Sequence, residues 1–291
     1  MKNLPLKVFT ILRQVFFDDK GESIPFPLRP KNNTQDDPFD EYIVDVLKQG
    51  LLPLGVGCQK ASGPLISPDF VVYQSKVDLS SDTITNNPTK VIGVEVKKLE
   101  RGANGQIARP SGLDYNTTPP CGKVRIYSNR NEELHIKAFY LFACLERSVT
   151  GQFFVSAMTL CDGSILNDDF EFYMEITGGR EKGINLGTYG DGANRNRPML
   201  IFSNPLGSKI LDRRISLISG LDLSGESDNI LLAWELYRKD KFENQHKFYA
   251  YLDSRDIPID HAVVPIHEPF PTPVRRVAET QGRGKFKLTI E

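Results

Sequence analysis

Two short clusters hold the side chains best suited to chemistry: Pro68-Asp69 and, after a turn-rich stretch, Glu95-Val96-Lys97. Two carboxylates can hold a divalent metal through oxygen, and a lysine beside them can serve water and phosphate. That is equipment for hydrolysing a phosphodiester. It works only if the chain between the clusters folds back as a hairpin. Phe70 to Tyr73 and Val91 to Lys97 are rich in β-branched and aromatic residues, and Ser80 to Pro88 between them has the composition of a turn or loop. Side chains alternate across a strand. Ile92, Val94 and Val96 therefore share a face suited to the core, and Glu95 and Lys97 share the other. Asp69 joins them if the hairpin pairs in that register. Oxygen ligands in this number suit magnesium, which keeps several waters of its own. Three roles are open to Lys97: orienting the water, helping to deprotonate it, or stabilising the charged transition state. An acid-x-lysine strand also occurs as a plain solvated face.

The neighbouring segments must supply the scaffold. Leu4 to Phe17 carries Leu6, Phe9, Ile11, Leu12 and Phe16 at near-helical spacing, which predicts an amphipathic helix. Residues 21–37, with Pro25, Pro27 and Pro30, read as a loop. A second helix is expected from Pro38 to about Gly50, capped by Asp36 or Asp37, with acids in its first turn. Val124 to Tyr127, Gln152 to Leu160 and Met199 to Phe202 read as strands, and Ala138 to Leu145 as a strand or a short helix. Residues 230–248 have a helix-like central part around Trp234. The simplest assembly is one α/β domain over residues 1–291, a central mixed sheet flanked by helices, with a catalytic core at about 37–160.

Composition narrows the classes. A chain of 291 residues, 40% hydrophobic and 25% charged, can bury a sizeable core as one large domain or two small ones. The net charge of -1 does not announce a nucleic-acid binder, although a basic cleft can hide within such a sum. Cys58, Cys121, Cys144 and Cys161 form no C-x-x-C pair and no histidines cluster with them, so neither a zinc site nor a disulfide framework is expected. A reducing cytoplasm fits. Residues 1–18, broken by Lys7 and Arg13, lack the features of a signal peptide, and no apolar run suits a membrane helix. Cys121-Gly122-Lys123-Val124 lacks the hydroxyl residue and glycine spacing of a phosphate-binding loop, which argues against a nucleotide-using metabolic enzyme.

Ser67-Pro68-Asp69 with Glu95-Val96-Lys97 resembles the signature of the PD-(D/E)XK nucleases, in the form used by type II restriction endonucleases. The helix from Phe39 to Asp45 resembles an early helix of some small restriction enzymes, in which an acidic residue approaches the active site; Glu41 matches best. An acid in a first helical turn is also favoured by the helix dipole alone. The polar run Ser111 to Pro120 is similar to a segment of those enzymes, and the likeness covers about residues 37–127. The resemblance implies a restriction-endonuclease-like core and a magnesium-dependent endodeoxyribonuclease that cuts double-stranded DNA at a short palindromic site and leaves 5′-phosphates. Asp69, Glu95 and Val96 would hold the metal, Lys97 would assist the water, and Glu41 would support them. A palindrome presents the same edges twice, so a homodimer is expected, paired in the cell with a DNA methyltransferase. Alternatives are a repair or junction-resolving nuclease of the same superfamily, or a non-catalytic DNA-binding protein.

Two segments have the composition of DNA contacts. The first holds Arg101, Asn104, Arg109, Asn116, Thr117, Thr118 and Lys123. The second holds Lys182, Arg195, Asn196 and Arg197 among glycines and is favoured for base readout. Arginine pairs bidentately with guanine and asparagine with adenine, while small polar groups contact phosphates. Solvated surface loops share this composition. Arg275, Arg276, Arg283, Lys285 and Lys287 are expected to serve phosphates if they touch DNA. Tyr115, Tyr127 and Trp234 are expected to pack, and His135, His246, His261 and His267 form no motif.

Overall fold

Asn3 opens the first helix, α1 (Leu4–Phe16), by accepting a hydrogen bond from Leu6 N at 3.3 Å, with proline in the first turn. The apolar stripe of α1, Leu4, Leu6, Val8, Phe9, Leu12 and Phe16, is buried. The second helix, α2 (Pro38–Leu51), is capped by Asp37, whose carboxylate accepts from Phe39 N at 3.1 Å. Its apolar face, Phe39, Ile43, Val44 and Leu47, packs beside α1 in the same core. The helices approach closely at Gly50, where a Cβ would lie 2.9 Å from Ile11. A 3-10 turn (Leu52–Leu54) ends at Gly55, whose φ of 64° lets the chain turn into the first strand. These elements belong to a computed structural model that describes residues 3–33, 36–63, 66–79, 87–100, 122–166, 215–240, 242–258, 260–269 and 285–290.

Ten strands among the described residues form one mixed sheet. In chain order they are β1 (Val56–Lys60), β2 (Phe70–Gln74), β3 (Val91–Glu100), β4 (Lys123–Tyr127), β5 (Glu133–Arg147), β6 (Phe153–Asp162), β7 (Ile215–Ser219), β8 (Ile230–Lys239), β9 (Gln245–Asp253) and β10 (Val264–Pro269). Across the sheet the order is β1-β2-β3-β5-β6-β7-β9-β8-β10, with β4 pairing to β5 off that path. The pairs β3/β5, β6/β7 and β8/β10 are parallel and the rest antiparallel. The architecture is therefore α/β around a mixed sheet.

The two sheet faces bury separate cores. Ile92, Val94, Val96, Phe139, Leu141 and Ala143 pack beneath α1 and α2. Tyr140, Phe142 and Cys144 face the other way, toward β4, the short helix α3 (Gly163–Leu166) and the segment carrying Phe286 and Leu288. Residues 138–145 are therefore buried on both faces, which makes this run a strand rather than a helix. Among the described residues no helix is long and apolar enough to cross a membrane. Cys58, Cys144 and Cys161 are buried, and burial pushes the Cys58 thiol up to about 12.

One expected element is corrected. Residues 230–248 contain no helix: they form the antiparallel pair β8/β9. A bulge between Leu232 and Trp234 puts Ala233 and Trp234 in the core consecutively, which disguises the period of two. Asp240 makes the turn, accepting from Phe242 N at 2.8 Å and Asn244 N at 2.9 Å. Strands β1, β7 and β10 are not among the elements expected from the sequence, and Met199 to Phe202 lies outside the described residues.

Arg13 ties the two ends of the fold together. Its buried guanidinium lies 3.3 Å from both Asp253 and Asp256, and it donates to Phe17 O at 2.9 Å and Asp18 O at 2.6 Å. Removing one partner of a buried pair leaves the other uncompensated. Arg13→Met should lower unfolding free energy by about 3–5 kcal/mol in urea titrations; an unchanged midpoint would show the pair to be idle.

Candidate active site

The hairpin forms in the register the motif needs: Phe70 pairs with Val94 and Val72 with Ile92. β2 begins at Phe70, so Val96 lies past its end, opposite Pro68, which has no N–H. The Asp69 carboxylate fills the gap and accepts Val96 N–H at 2.6 Å. A strand residue sends its N–H and C=O to the same side, so the Val96 carbonyl points toward the Asp69 side as well. The Pro68 ring lies against Gly93, where a Cβ would stand 3.0 Å from Pro68 Cγ and 2.5 Å from Val124 Cγ1. Glycine at 93 is what lets the Ser67-Pro68-Asp69 corner sit down on β3.

Glu95 and Lys97 share a face of β3, opposite the buried Ile92, Val94 and Val96. Glu95 Oε1 accepts from Lys97 Nζ at 2.9 Å, and Oε2 accepts from Ser67 Oγ at 3.0 Å. Both side chains are nearly buried, with 12% and 13% exposure. A third carboxylate joins them electrostatically from the first turn of α2. It is Asp40, whose Oδ1 is sealed from solvent and has no hydrogen-bond partner. An ion pair between Lys98 and the capping residue Asp37 ties this turn to β3.

The charges are strongly coupled. Burial, then the Glu95 charge, raises Asp69 to about 7, against the opposing pull of Lys97 and the Val96 N–H. Burial and then Asp69 push Asp40 well above the usual carboxylate range. Burial pulls Lys97 down, but Glu95 and Asp69 outweigh it and hold the ammonium above its ordinary value. Lys97 is therefore a cation and a hydrogen-bond donor in this arrangement.

Of the residues singled out in the sequence, the fold brings Asp69, Glu95, Lys97 and the Val96 backbone together. Glu41 is held elsewhere, 42% exposed and paired with Arg29, whose Nε donates to it at 2.8 Å. Asp40, one position earlier, takes the place expected of Glu41. Lys123 opens β4 opposite Lys137. Arg101, Asn104, Arg109, Asn116, Thr117, Thr118, Lys182, Arg195, Asn196 and Arg197 lie outside the described residues, as do Tyr115, Cys121, Arg275, Arg276 and Arg283. Lys285 Nζ sits 4.5 Å above the Tyr127 ring, and Gln59 donates to Lys287 O at 2.5 Å. His135 pairs with Glu133, His246 with Asp240, and His267 stacks on Tyr237, while Tyr127 and Trp234 are buried.

Among the described residues, no group of three or more His, Cys, Asp or Glu side chains forms a ready-made metal cage. Magnesium does not need one, since it binds through one or two carboxylates and keeps its waters. Asp69 and Glu95 with the Val96 carbonyl make such a hard oxygen set. The unpartnered Asp40 oxygen and the repulsion between Asp69 and Glu95 are features a divalent cation would relieve. The chain matches no protein-family model and no curated protein.

Two outcomes follow from this geometry. Gly93→Ala should cost about 1–3 kcal/mol, because Val124 or Pro68 must move, and calorimetry checks it. Asp69 holds its proton more tightly folded than unfolded, so it costs stability as pH rises from the ordinary carboxylate range through about 7. In chelator, Asp69→Asn should therefore melt above wild type at about pH 8 and converge with it near pH 4. Equal melting temperatures at the higher pH would contradict the raised carboxyl.

Proposed function

We propose that this chain is a magnesium-dependent PD-(D/E)XK nuclease with a restriction-endonuclease-like core, acting as a type II site-specific endodeoxyribonuclease on double-stranded DNA. The observation that carries this is the convergence of Asp69, Glu95 and Lys97 at the start of β2, with the Asp69 carboxylate on Val96 N–H at 2.6 Å. Asp69, Glu95 and the Val96 carbonyl would hold the cation. A divalent cation bound there would supply Lewis acidity toward the scissile phosphate and make water more acidic. Lys97, kept charged by its acidic neighbours, donates hydrogen bonds to the attacking water or to a non-bridging phosphate oxygen. Ser67 and Lys97 fix the two oxygens of Glu95, so the carboxylate is oriented before substrate arrives. Asp40 is the α2 acid that supports the site, in place of Glu41. Water adds to phosphorus and the bond to the 3′-oxygen breaks, leaving a 5′-phosphate and a 3′-hydroxyl. A homodimer on a palindromic site, a cytoplasmic location and a partner DNA methyltransferase complete the proposal.

Digestion of phage and plasmid DNA with magnesium tests it. Discrete fragments with 5′-phosphate ends are expected. Asp69→Asn and Glu95→Gln should each lower cleavage by roughly 10³-fold or more, and Lys97→Ala by roughly 10²–10³-fold. Asp40→Asn should lose at least about tenfold while Glu41→Gln stays within about twofold. Nicking confined to branched DNA would favour a junction-resolving enzyme, and full activity in Glu95→Gln would sink the site.

A further inference from the structure

Lys60 ends β1, and its register partner is Phe70, the first residue of β2. The next residue, Ala61, donates its N–H to Asp69 O at 2.9 Å. The end of β1 is thus fixed beside the carboxylate that binds Val96. Alternation puts Lys60 on the face of Val56 and Cys58, which pack in the core under α2. From there its charge acts on three acids: Asp36 just before α2, Asp40 in its first turn, and Asp69.

The other cations of this region are engaged. Arg29 holds Asp36 and Glu41, Lys98 holds Asp37, and Lys97 holds Glu95. Lys60 is half-buried, and among the described residues its side chain forms no ion pair or hydrogen bond. A lysine ammonium is a compact, hydrated charge on a flexible stem. One held near several carboxylates but locked to none keeps its donors for an incoming anion.

Resting on the nuclease assignment, we infer that Lys60 is a phosphate-binding residue: it contacts a backbone phosphate of the DNA strand near the one being cut. It holds the strand from the α2 side of the site, where Asp40 lies, without reading bases. The contact also supplies positive charge where a polyanion must approach a carboxylate-rich site.

Salt-dependent binding of labelled duplexes, measured by fluorescence anisotropy in chelator, tests this. Each neutralised phosphate contributes about 0.9 to the slope of log K against log salt. Lys60→Ala should bind roughly 3–10-fold more weakly at low salt for unrelated sequences alike, with a slope shallower by about one. Lys60→Arg should restore both, and Lys48→Ala, at the other end of α2, should match wild type. Lys60→Gln keeps the stem and gives the same readout if the alanine variant folds poorly. A wild-type slope and affinity in Lys60→Ala and Lys60→Gln would overturn the inference while leaving the nuclease assignment standing. A wild-type protein that neither binds nor cuts DNA would instead remove both, and it reveals itself before any variant is made.

Discussion

The hydrogen bond from Val96 N–H to Asp69 Oδ2 joins the two halves of the site, and the other contacts there depend on it. A backbone N–H near the interior must find an acceptor. β3 runs on past the start of β2, and Pro68 breaks the ladder there. The direction of the Asp69 carboxylate is therefore set by a demand of the main chain, not by competition among side chains. Glu95 is oriented differently, between Ser67 and Lys97. Two acids held by independent means keep their places even though they repel each other. That repulsion makes the cluster receptive to a cation.

The first turn of α2 shows how finely such a cluster is chosen. Asp36, Asp37, Asp40 and Glu41 are four acids within six residues. Asp36 and Glu41 belong to Arg29, and Asp37 caps the helix and pairs with Lys98. Only Asp40 has a buried oxygen without a hydrogen bond. Adjacent helical positions differ by about 100° around the axis. One residue of offset therefore separates the acid turned toward the site from the acid turned to solvent.

That offset also explains what the sequence conceals. The hairpin, α1 and α2 are legible because their signals are local: alternation in Ile92 to Lys97, a capping aspartate before Pro38, and helical spacing of apolar residues. The choice of Asp40 over Glu41 is not local, since it depends on where Arg29 and Lys98 arrive. β8 was hidden by its bulge. β10 carries Pro265 and Pro269, which argue against a strand except at a sheet edge, and that is where it lies. Gly93, a glycine within a strand, is a local sign of close backbone approach.

The reach of Arg13 has a further consequence, for the order of assembly. Its partner Asp256 stands 243 residues away along the chain. Until that acid arrives, α1 carries a cation destined for burial without its acidic partner. The parallel pairs β3/β5 and β6/β7 add further closures between distant segments. Loop entropy must be overcome before such contacts reward it, so a topology of this kind has a high contact order and folds slowly. During that interval the paired strands of the central sheet remain open to other chains. The ion pair of Arg13 with Asp256 can form only once the chain has brought its two ends together.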